Sequence, residues 1–465
     1  MAKVLYIMYG MPSCYNSGFV LARRFAQSGV DIHIACDRDI SSLAAKAGVK
    51  YFHLDSISRE SNLSNLLRIK RELKTGSKIQ QVIKLIKARL EFRRKTIVDS
   101  QIQQLICRMR PDVLLIDIEC HVGIIASAGS GVPTALCSRL FDHRPGGHCP
   151  PLNSNVIPSK TPGMKIIVAA QWYWLRMSAW GKSLRQSISI KRLAPVDYLT
   201  AKMSDIKAIA RHNRVDLEPI TTTRHWFRPL TYVHLPILSM TLKELDFERA
   251  DQTGFDYIGP MIDNNDYAFD FASPIVEQIE HFISTSRSDN KKVVYCAMGT
   301  FAQREPRFVE ALRDLAVTRK DLALLISLGG RESTEDYSSF PSNCLLLDSA
   351  PQLMCLQAAD AAILHSGIGS LQEALKFRVP LLIFAVDSMD QNGCAVRWTE
   401  LGLARRFYLK SVSGMDLAAN LDEILADKKL AVRLRTFSEL MERSSNSFSP
   451  RRLIEQLVSA SVSID

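Results

Sequence analysis

Residues 361–375 read AAILHSGIGSLQEAL, and this stretch decides the fold. Its four leading apolar residues predict a short buried strand, residues 365–369 predict a small-residue turn, and Ser370 opens a predicted helix. The first N–H groups of a helix have no acceptor within it, and together with the helix dipole they suit a phosphate. Gly367 and Gly369 would let such an anion approach the backbone closely.

A second interpretation of this stretch needs no ligand. Ser370 is followed three residues later by Glu373, which matches a capping box. In that motif each of the two side chains satisfies a backbone N–H group at the start of the helix. The stretch alone does not separate a structural cap from a phosphate site.

Strand-like apolar runs alternate with helical patterns along the rest of the chain. The clearest runs lie at 4–8, 32–36, 113–118, 293–297 and 322–327. Such alternation predicts parallel sheets, whose ligand crevice lies at the carboxyl ends of the strands. The chain has 465 residues, enough for two domains. We therefore predict an α/β protein with two Rossmann-like domains, 1–250 and 251–465, whose last helix packs back on the first domain.

The first loop of the chain, predicted at residues 10–18, follows the first strand and so faces this crevice. Gly10 and Gly18 do not complete the G-x-G-x-x-G pattern of a dinucleotide site. The predicted strand at 113–118 brings Asp117, Glu119 and His121 to the same edge of the sheet. These three residues alternate with a period of two, so they share one face if the strand continues that far.

The composition is typical of a globular protein, with 46% hydrophobic and 23% charged residues. The ten cysteines are scattered singly without a C-x-x-C pair, which argues against a zinc or iron–sulfur site and favours a reducing compartment. We find no secretory signal pattern and no apolar run long enough to span a bilayer. We therefore expect a cytoplasmic protein, with the option of a place at the inner face of a membrane.

Positive charge is concentrated in residues 68–95, where eleven Lys and Arg residues stand against two Glu residues, a net +9 within a total of +11. The apolar residues of this segment form one stripe of a helix: Ile79, Val82, Ile83, Ile86 and Leu90. A basic amphipathic helix predicts peripheral contact with an anionic membrane, although the same stripe is equally suited to packing on the domain core. Aromatic residues are not interleaved with the basic run, which argues against a nucleic-acid partner.

An ordered set of residues around the deciding stretch resembles the sugar-nucleotide signature of family 1 glycosyltransferases. This group contains plant UDP-glycosyltransferases and bacterial macrolide and carotenoid glycosyltransferases. The set consists of Pro351-Gln352, His365, Ser370, Glu373 and Asp390-Gln391. The similarity is specific from about Gly259 to Leu403. It implies the GT-B architecture, two facing Rossmann-like domains of which the second binds a nucleotide diphosphate sugar.

The resemblance implies a role for each part of this set. Pro351 and Gln352 would edge the nucleotide base, and Glu373 would hold the ribose hydroxyls. The diphosphate would lie against the turn and the residues around it: Gly299, Thr300, His365, Ser366, Gly367, Gly369 and Ser370. Asp390 and Gln391 would grip the hydroxyls of the sugar.

Three departures from the family pattern bear on the identity of the base and of the sugar. No Trp precedes Pro351, Ile368 stands where plant members carry Trp, and Cys394 replaces the usual Asn after Asp390-Gln391. The resemblance as a whole favours UDP over dTDP. It also implies transfer without a metal and without any other cofactor.

The general base of the family is missing from its usual place. The family's histidine in the first loop falls on Cys14, whereas Asp117 fits the aspartate that orients that histidine. Three interpretations stay open: His121 or Glu119 serves instead, the acceptor ionises readily as a carboxylate or acidic phenol does, or activity has been lost. Cys14 is a weaker candidate for base or nucleophile, because an unassisted thiol is mostly protonated near neutral pH.

The resemblance thus implies inverting transfer of a hexose from a UDP-sugar donor to the hydroxyl or carboxylate of a small lipophilic acceptor. The aromatic residues Trp172, Tyr173, Trp174 and Trp180 suit either the lining of an apolar acceptor pocket or a place in the core. Two alternatives remain on the same fold. One is a catalytically impaired sugar-nucleotide-binding protein, and the other is a UDP-sugar epimerase.

Overall fold

The protein consists of two parallel β-sheets, each packed with helices. The computed structural model describes residues 1–10, 12–54, 77, 79–80, 83–84, 86–87, 101–146, 148–159, 161–188, 207, 210–222, 231–249, 251–264, 274–297, 306–329, 340–386 and 390–462. The two sheets confirm the predicted α/β class with two Rossmann-like halves.

The first sheet has seven strands in the order β3-β2-β1-β4-β5-β8-β9, and all its pairings are parallel. The strands are β1 (Lys3–Met8), β2 (Asp31–Cys36), β3 (Lys50–His53), β4 (Val113–Asp117), β5 (Thr134–Ser138), β8 (Ile237–Ser239) and β9 (Phe255–Tyr257). A separate two-stranded antiparallel ribbon joins β6 (Thr221–Thr222) to β7 (Thr231–Tyr232). The described helices of this half are α1 (Pro12–Gln27), α2 (Ser41–Ala47), α3 (Gln101–Met109), α4 (His121–Ser127) and α5 (Pro162–Ile188).

The second sheet has six strands in the order β12-β11-β10-β13-β14-β15, again all parallel. They are β10 (Lys292–Ala297), β11 (Leu322–Ser327), β12 (Cys344–Leu347), β13 (Ala361–His365), β14 (Leu381–Phe384) and β15 (Ala404–Arg406). The helices that follow β9 are α6 (Pro274–Ser288), α7 (Pro306–Thr318), α8 (Gln352–Ala358), α9 (Ile368–Lys376), α10 (Gln391–Glu400), α11 (Gly414–Ala426), α12 (Lys428–Ser447) and α13 (Pro450–Val462). The strands read as continuous apolar runs because parallel strands are covered on both faces.

The protein has two hydrophobic cores, one in each half, and some segments of each half pack in or against the other. Strand β9, at Phe255–Tyr257, pairs with β8 and so belongs to the first sheet, although it follows the boundary predicted at residue 250. Helix α13 returns to the first half, where Leu453, Ile454 and Leu457 pack in the first core. In the opposite direction, Phe141 and Leu152 of the first half lie in the second core.

Three local boundaries differ from the sequence prediction. Helix α1 begins at Pro12, so the first loop is much shorter than the predicted 10–18. Strand β4 ends at Asp117, because the chain turns there and the N–H of Cys120 donates to the Asp117 carbonyl at 2.7 Å. Helix α9 begins at Ile368 rather than Ser370.

Candidate active site

The turn after β13 leaves the start of α9 open. Gly367 occupies the N-cap position in an extended conformation, and no side chain caps the helix. Ser370 is therefore the third residue inside the helix, and the alternative interpretation of Ser370 and Glu373 as a capping box is wrong. The first N–H groups of α9 keep their capacity to bind an anion, because a helix provides no acceptor for them.

Three residues predicted for donor binding converge at this helix start. Gln352, the first residue of α8, donates its amide N–H groups to the Ser370 hydroxyl at 3.0 Å and to the Glu373 carboxylate. Pro351, the N-cap of α8, precedes it and is buried. The pairing of β13 with β10 and β14 brings these segments to one sheet edge. The residues assigned to the base, the diphosphate and the ribose thus form one polar cluster.

His365 is the last residue of β13 and faces the same turn. Burial lowers the pKa of its imidazole to about 4, and a hydrogen bond with the backbone of Ala297 opposes that shift. The ring is therefore neutral at pH 7. Its Nδ1 is buried without a hydrogen-bond partner among the described residues. A Cβ on Gly367 would stand 2.7 Å from its Nε2, so the glycine makes room for the ring.

Ser366 has a structural position that the sequence did not predict. Its side chain is fully buried, and its hydroxyl donates to the carbonyl of Phe384 at 2.7 Å. The Ser366 hydroxyl thereby ties β13 to β14, and a contact of Ser366 with the diphosphate stays a prediction. Gly369, in contrast, is exposed, and a Cβ there would meet no atom within 4 Å.

Asp390 and Gln391 stand at the start of α10, where the two halves of the molecule meet. The Gln391 side-chain oxygen accepts from the N–H of Val386 at 2.8 Å, and the Cys394 thiol donates to Asp390 at 3.9 Å. The N–H of Gly393 donates to the carbonyl of Leu152 in the first half at 2.7 Å. The pair predicted to grip the sugar is thus held against a loop of the opposite domain.

The same loop contacts α10 at further points. Asn392 donates to the Asn153 carbonyl at 3.4 Å. Arg406 bridges the domains, since it donates to Asn155 at 2.8 Å and to Asn392 at 2.7 Å. The remaining donor residues predicted from sequence, Gly299 and Thr300, lie outside the described residues.

Asp117 at the carboxyl end of β4 is fully buried and doubly bound. Its carboxylate accepts from the Arg139 guanidinium at 2.8 Å and from the backbone N–H of Tyr9 at 2.7 Å. Burial raises the pKa of Asp117, while Arg139 and the Tyr9 N–H oppose that rise. Asp117, which fits the family's orienting aspartate, therefore binds an arginine side chain.

Arg139 follows β5 and is the residue of this site that sequence reasoning missed. Burial alone would lower the pKa of its guanidinium, but Asp117 and Cys14 raise it well above its ordinary value. Cys14 itself is buried in the first turns of α1. A basic residue directly after a buried strand, at the same sheet edge as Asp117, was the available signal.

Several proteins are similar to this chain in sequence. No protein-family model matches it. It is 23% identical over 208 residues to a Bacillus subtilis protein named uncharacterized UDP-glucosyltransferase YojK, with 43% of this chain and 46% of that protein covered. It is 24% identical over 257 residues to the zeaxanthin glucosyltransferase of Pantoea ananas, with 54% and 55% covered. The chain thus spans about half the length of these curated relatives.

Solved structures match over nearly the whole chain. The glycotransferase of kitacinnamycin covers 98% of this chain, and 99% of that structure is matched, at a TM-score of 0.64 and 17% identity. SnogD from Streptomyces nogalater covers 99%, with 99% of that structure matched, at a TM-score of 0.57 and 16% identity. The chain resembles the family 1 glycosyltransferases. Its fold is the GT-B architecture that the sequence predicted.

The structure places the two predicted substitutes for the missing histidine, His121 and Glu119, in different environments. His121 begins α4 and is buried, with its Nδ1 at 3.1 Å from the Tyr232 hydroxyl. It does not continue β4, so the predicted common face of Asp117, Glu119 and His121 is wrong. Glu119 is half-buried in the turn after β4, close enough to affect the pKa of both Asp117 and Arg139.

The aromatic residues of α5 are divided between interior and surface. Trp172 is buried, and its indole N–H donates to the carbonyl of Cys149 at 3.0 Å. Tyr173, Trp174 and Trp180 are exposed instead, so they line neither the core nor a closed pocket. Among the described residues, no cluster of His, Cys, Asp or Glu is arranged to hold a metal ion, and no helix is long and apolar enough to cross a membrane.

Proposed function

We propose that this protein transfers a hexose, with inversion, from a nucleotide diphosphate sugar to a small lipophilic acceptor. The observation that carries the proposal is the cluster of Gln352, Ser370 and Glu373 at the uncapped start of α9. The names of the curated relatives support UDP as the nucleotide, and a neighbour solved in complex with dTDP leaves that nucleotide as a test. Relatives named for zeaxanthin and for sterols support a lipophilic acceptor.

The donor site would act mainly on the leaving group. As the acceptor oxygen attacks the anomeric carbon, the bond to the diphosphate breaks and its electron pair moves to the diphosphate oxygen. The α9 N–H groups, the Ser370 hydroxyl and the neutral His365 ring would stabilise that developing charge. Glu373 would hold the ribose, and Asp390 with Gln391 would hold the sugar. We propose that no metal takes part, so excess EDTA should leave turnover unchanged.

On the acceptor side we propose an acceptor that ionises readily, such as a carboxylic acid or an acidic phenol. Two contacts argue against a histidine base and so support this proposal. His121 is buried against Tyr232, and Asp117 is bound to Arg139 instead of to an imidazole. A positioned base contributes about 10²- to 10⁴-fold, and an acceptor that is already anionic does not need it. Glu119 is the remaining candidate base for less acidic acceptors.

The test is UDP release from UDP-glucose and dTDP-glucose against matched acceptors: a long-chain carboxylic acid, an acidic phenol and an alcohol of the same length. We expect the acid and the phenol to exceed the alcohol by at least tenfold. Glu119→Gln should reduce only the alcohol reaction if Glu119 is its base. Equal rates with all three acceptors would contradict the proposed acceptor class.

Variants of two predicted donor-site residues test the donor half of the proposal. His365→Ala and Glu373→Gln should weaken donor binding and turnover by about tenfold or more, whereas His281→Ala on the exposed side of α6 is the matched control. No binding of UDP or dTDP sugars at millimolar concentration in calorimetry would refute the enzyme. Binding without acceptor-dependent UDP release would support the impaired binding protein, an alternative favoured by Cys14 at the place of the histidine. Conversion of the donor without any acceptor would identify an epimerase.

We also propose that the basic segment 68–95 contributes to peripheral membrane contact of a cytoplasmic protein. Most of this segment lies outside the described residues. Its described isoleucines, Ile79, Ile83 and Ile86, are exposed, so they do not pack on the domain core. Lys84 and Lys87 stand beside them in the sequence.

A further inference from the structure

Helix α5 presents an apolar face that is exposed in the part of the chain that the structure describes. Ile166 and Trp174 are each 73% exposed, and Tyr173 and Trp180 are each 63% exposed. Ile167 at 48% and Met177 at 41% complete the set. Large apolar side chains of this kind are normally buried when they occur together on a soluble domain.

These side chains form one continuous stripe. The positions Ile166, Tyr173, Trp174, Met177 and Trp180 follow i, i+7, i+8, i+11 and i+14, which is a single side of an α-helix. At a rise of 1.5 Å per residue the stripe is about 21 Å long. The three aromatic side chains alone would expose roughly 300 Å² or more, since each buries about 150–250 Å² when covered.

The opposite side of α5 is fixed to the protein. Val168 and Trp172 are buried, and the Trp172 indole N–H donates to the Cys149 carbonyl at 3.0 Å. Ser154 donates to Gln171 at 2.8 Å on the same side of the helix. The helix is thus anchored along one side, and its apolar stripe points outward on a rigid support.

The charge of α5 identifies the partner. Its sequence contains four Lys or Arg residues and no Asp or Glu. Among the described residues, Lys165 and Arg176 are exposed beside the stripe. Trp and Tyr are enriched at the boundary between bilayer and water, and basic residues attract anionic headgroups by about 1 kcal/mol each. A second copy of the chain is disfavoured, because pairing two α5 faces would bring like charges together.

We propose that α5 lies in the headgroup region of an anionic bilayer, with the stripe from Ile166 to Trp180 turned into the lipid. This surface lies on another element than segment 68–95 and does not depend on the proposed reaction. If the acceptor is lipophilic, as proposed above, the contact would place the enzyme at the phase in which that acceptor dissolves.

The test is binding of the full chain to vesicles of phosphatidylcholine alone and of phosphatidylcholine with one quarter phosphatidylglycerol. We expect at least tenfold tighter binding to the anionic vesicles, with a blue shift of tryptophan fluorescence and quenching by brominated acyl chains. Trp174→Ser combined with Trp180→Ser should weaken this binding at least tenfold. Met415→Ser combined with Val432→Ser, two residues exposed on α11 and α12, is the matched control and should bind as the wild type does.

Each outcome decides the proposal separately from the reaction. UDP binding by calorimetry should be equal in wild type and in the tryptophan variant, which shows that the fold and the donor site are intact. Equal vesicle binding by the two proteins would overturn the role of α5. A wild-type dimer in light scattering that the tryptophan variant converts to a monomer would show that the stripe is an interface between copies, and would overturn it too.

Discussion

Asp117 and Arg139 form an ion pair at the place where the resemblance implies an aspartate and a histidine. The carboxylate is fully buried, and the guanidinium is only 18% exposed. A pair of this kind is costly to break from one side, because the remaining charge is left buried without compensation. The pair therefore stabilises the carboxyl edge of the first sheet, where we propose that the acceptor binds.

Arg139→Met should destabilise the protein by about 3–5 kcal/mol, since Asp117 would lose its main charge partner. The measurement is the free energy of unfolding in urea. Arg287→Met removes the comparable but exposed pair with Asp360 and should cost at most about 1 kcal/mol. Equal losses in the two variants would contradict the buried role of Arg139.

His365 predicts a specific pH dependence of stability. Its folded pKa of about 4 lies below the ordinary value of 6.5, so the unfolded chain binds the extra proton first as pH falls. The stabilising contribution of the neutral ring is fully present above pH 6.5 and is lost as pH falls through 4. Relative to the wild type, His365→Gln should gain stability across this window, by an amount on the order of 3 kcal/mol. Parallel stability curves for the two proteins between pH 4 and 7 would refute the buried neutral imidazole.

The parts of the site that could be predicted from sequence are those whose residues lie in short segments of the chain. Gln352, His365, Ser370 and Glu373 stand in short strand–turn–helix segments whose chemistry is readable along the chain, and three of them meet in one cluster. Arg139 meets Asp117 only because β4 and β5 pair with Asp117 opposite Cys137. That register is set by tertiary packing, which a single sequence does not display.

The sequence predicted whether each of these segments is a strand or a helix better than it predicted the residues at which the segment begins and ends. The strand at 113–118 and the helix after residue 367 exist, but the turn from Asp117 to Cys120 ends the strand early. A local hydrogen bond thereby overrides the period-two pattern that grouped Glu119 and His121 with Asp117. Helix α9 starts two residues before Ser370 because an extended glycine at 367 serves as its N-cap.

Helix α10 makes a testable contact across the domains. A Cβ added at Gly393 would stand 2.3 Å from the carbonyl oxygen of Leu152, a backbone atom that cannot swing aside. Gly393→Ala should therefore push α10 away from the loop at 152–155 and displace Asp390 and Gln391. We expect the KM for the sugar nucleotide to rise about tenfold or more, while free UDP binding changes less.

Gly181→Ala is the control for this substitution, because a Cβ at that position in α5 would meet no atom within 4 Å. It should leave the KM unchanged. A normal KM in Gly393→Ala would show that the start of α10 does not position the sugar. A parallel loss of UDP affinity would place the damage at α9 instead.

At the scale of the whole molecule, a buried charge couples the two domains. Asp246, in the connection between β8 and β9, accepts from the Arg397 guanidinium of α10 at 2.7 Å, and both side chains are 1% exposed. Tyr257 and the N–H of Asp142 also donate to Asp246, at 2.5 and 3.0 Å. The Arg397 guanidinium lies 4.1 Å from the ring centroid of Phe247. First-half residues thus surround an arginine of the second half.

In the Arg397→Met variant the two domains should unfold independently of each other. The substitution leaves Asp246 buried with hydrogen bonds but without a cation, at a cost of about 3–5 kcal/mol. Because the lost contact joins the halves, we expect urea unfolding to change from one transition to two, and donor turnover to fall with the loss of interdomain alignment. Combining it with Asp246→Asn should recover part of the stability, since the uncompensated charge is then removed. A single transition with unchanged midpoint in Arg397→Met would mean that hydrophobic contacts alone, such as Phe141 and Leu152 in the second core, hold the domains together.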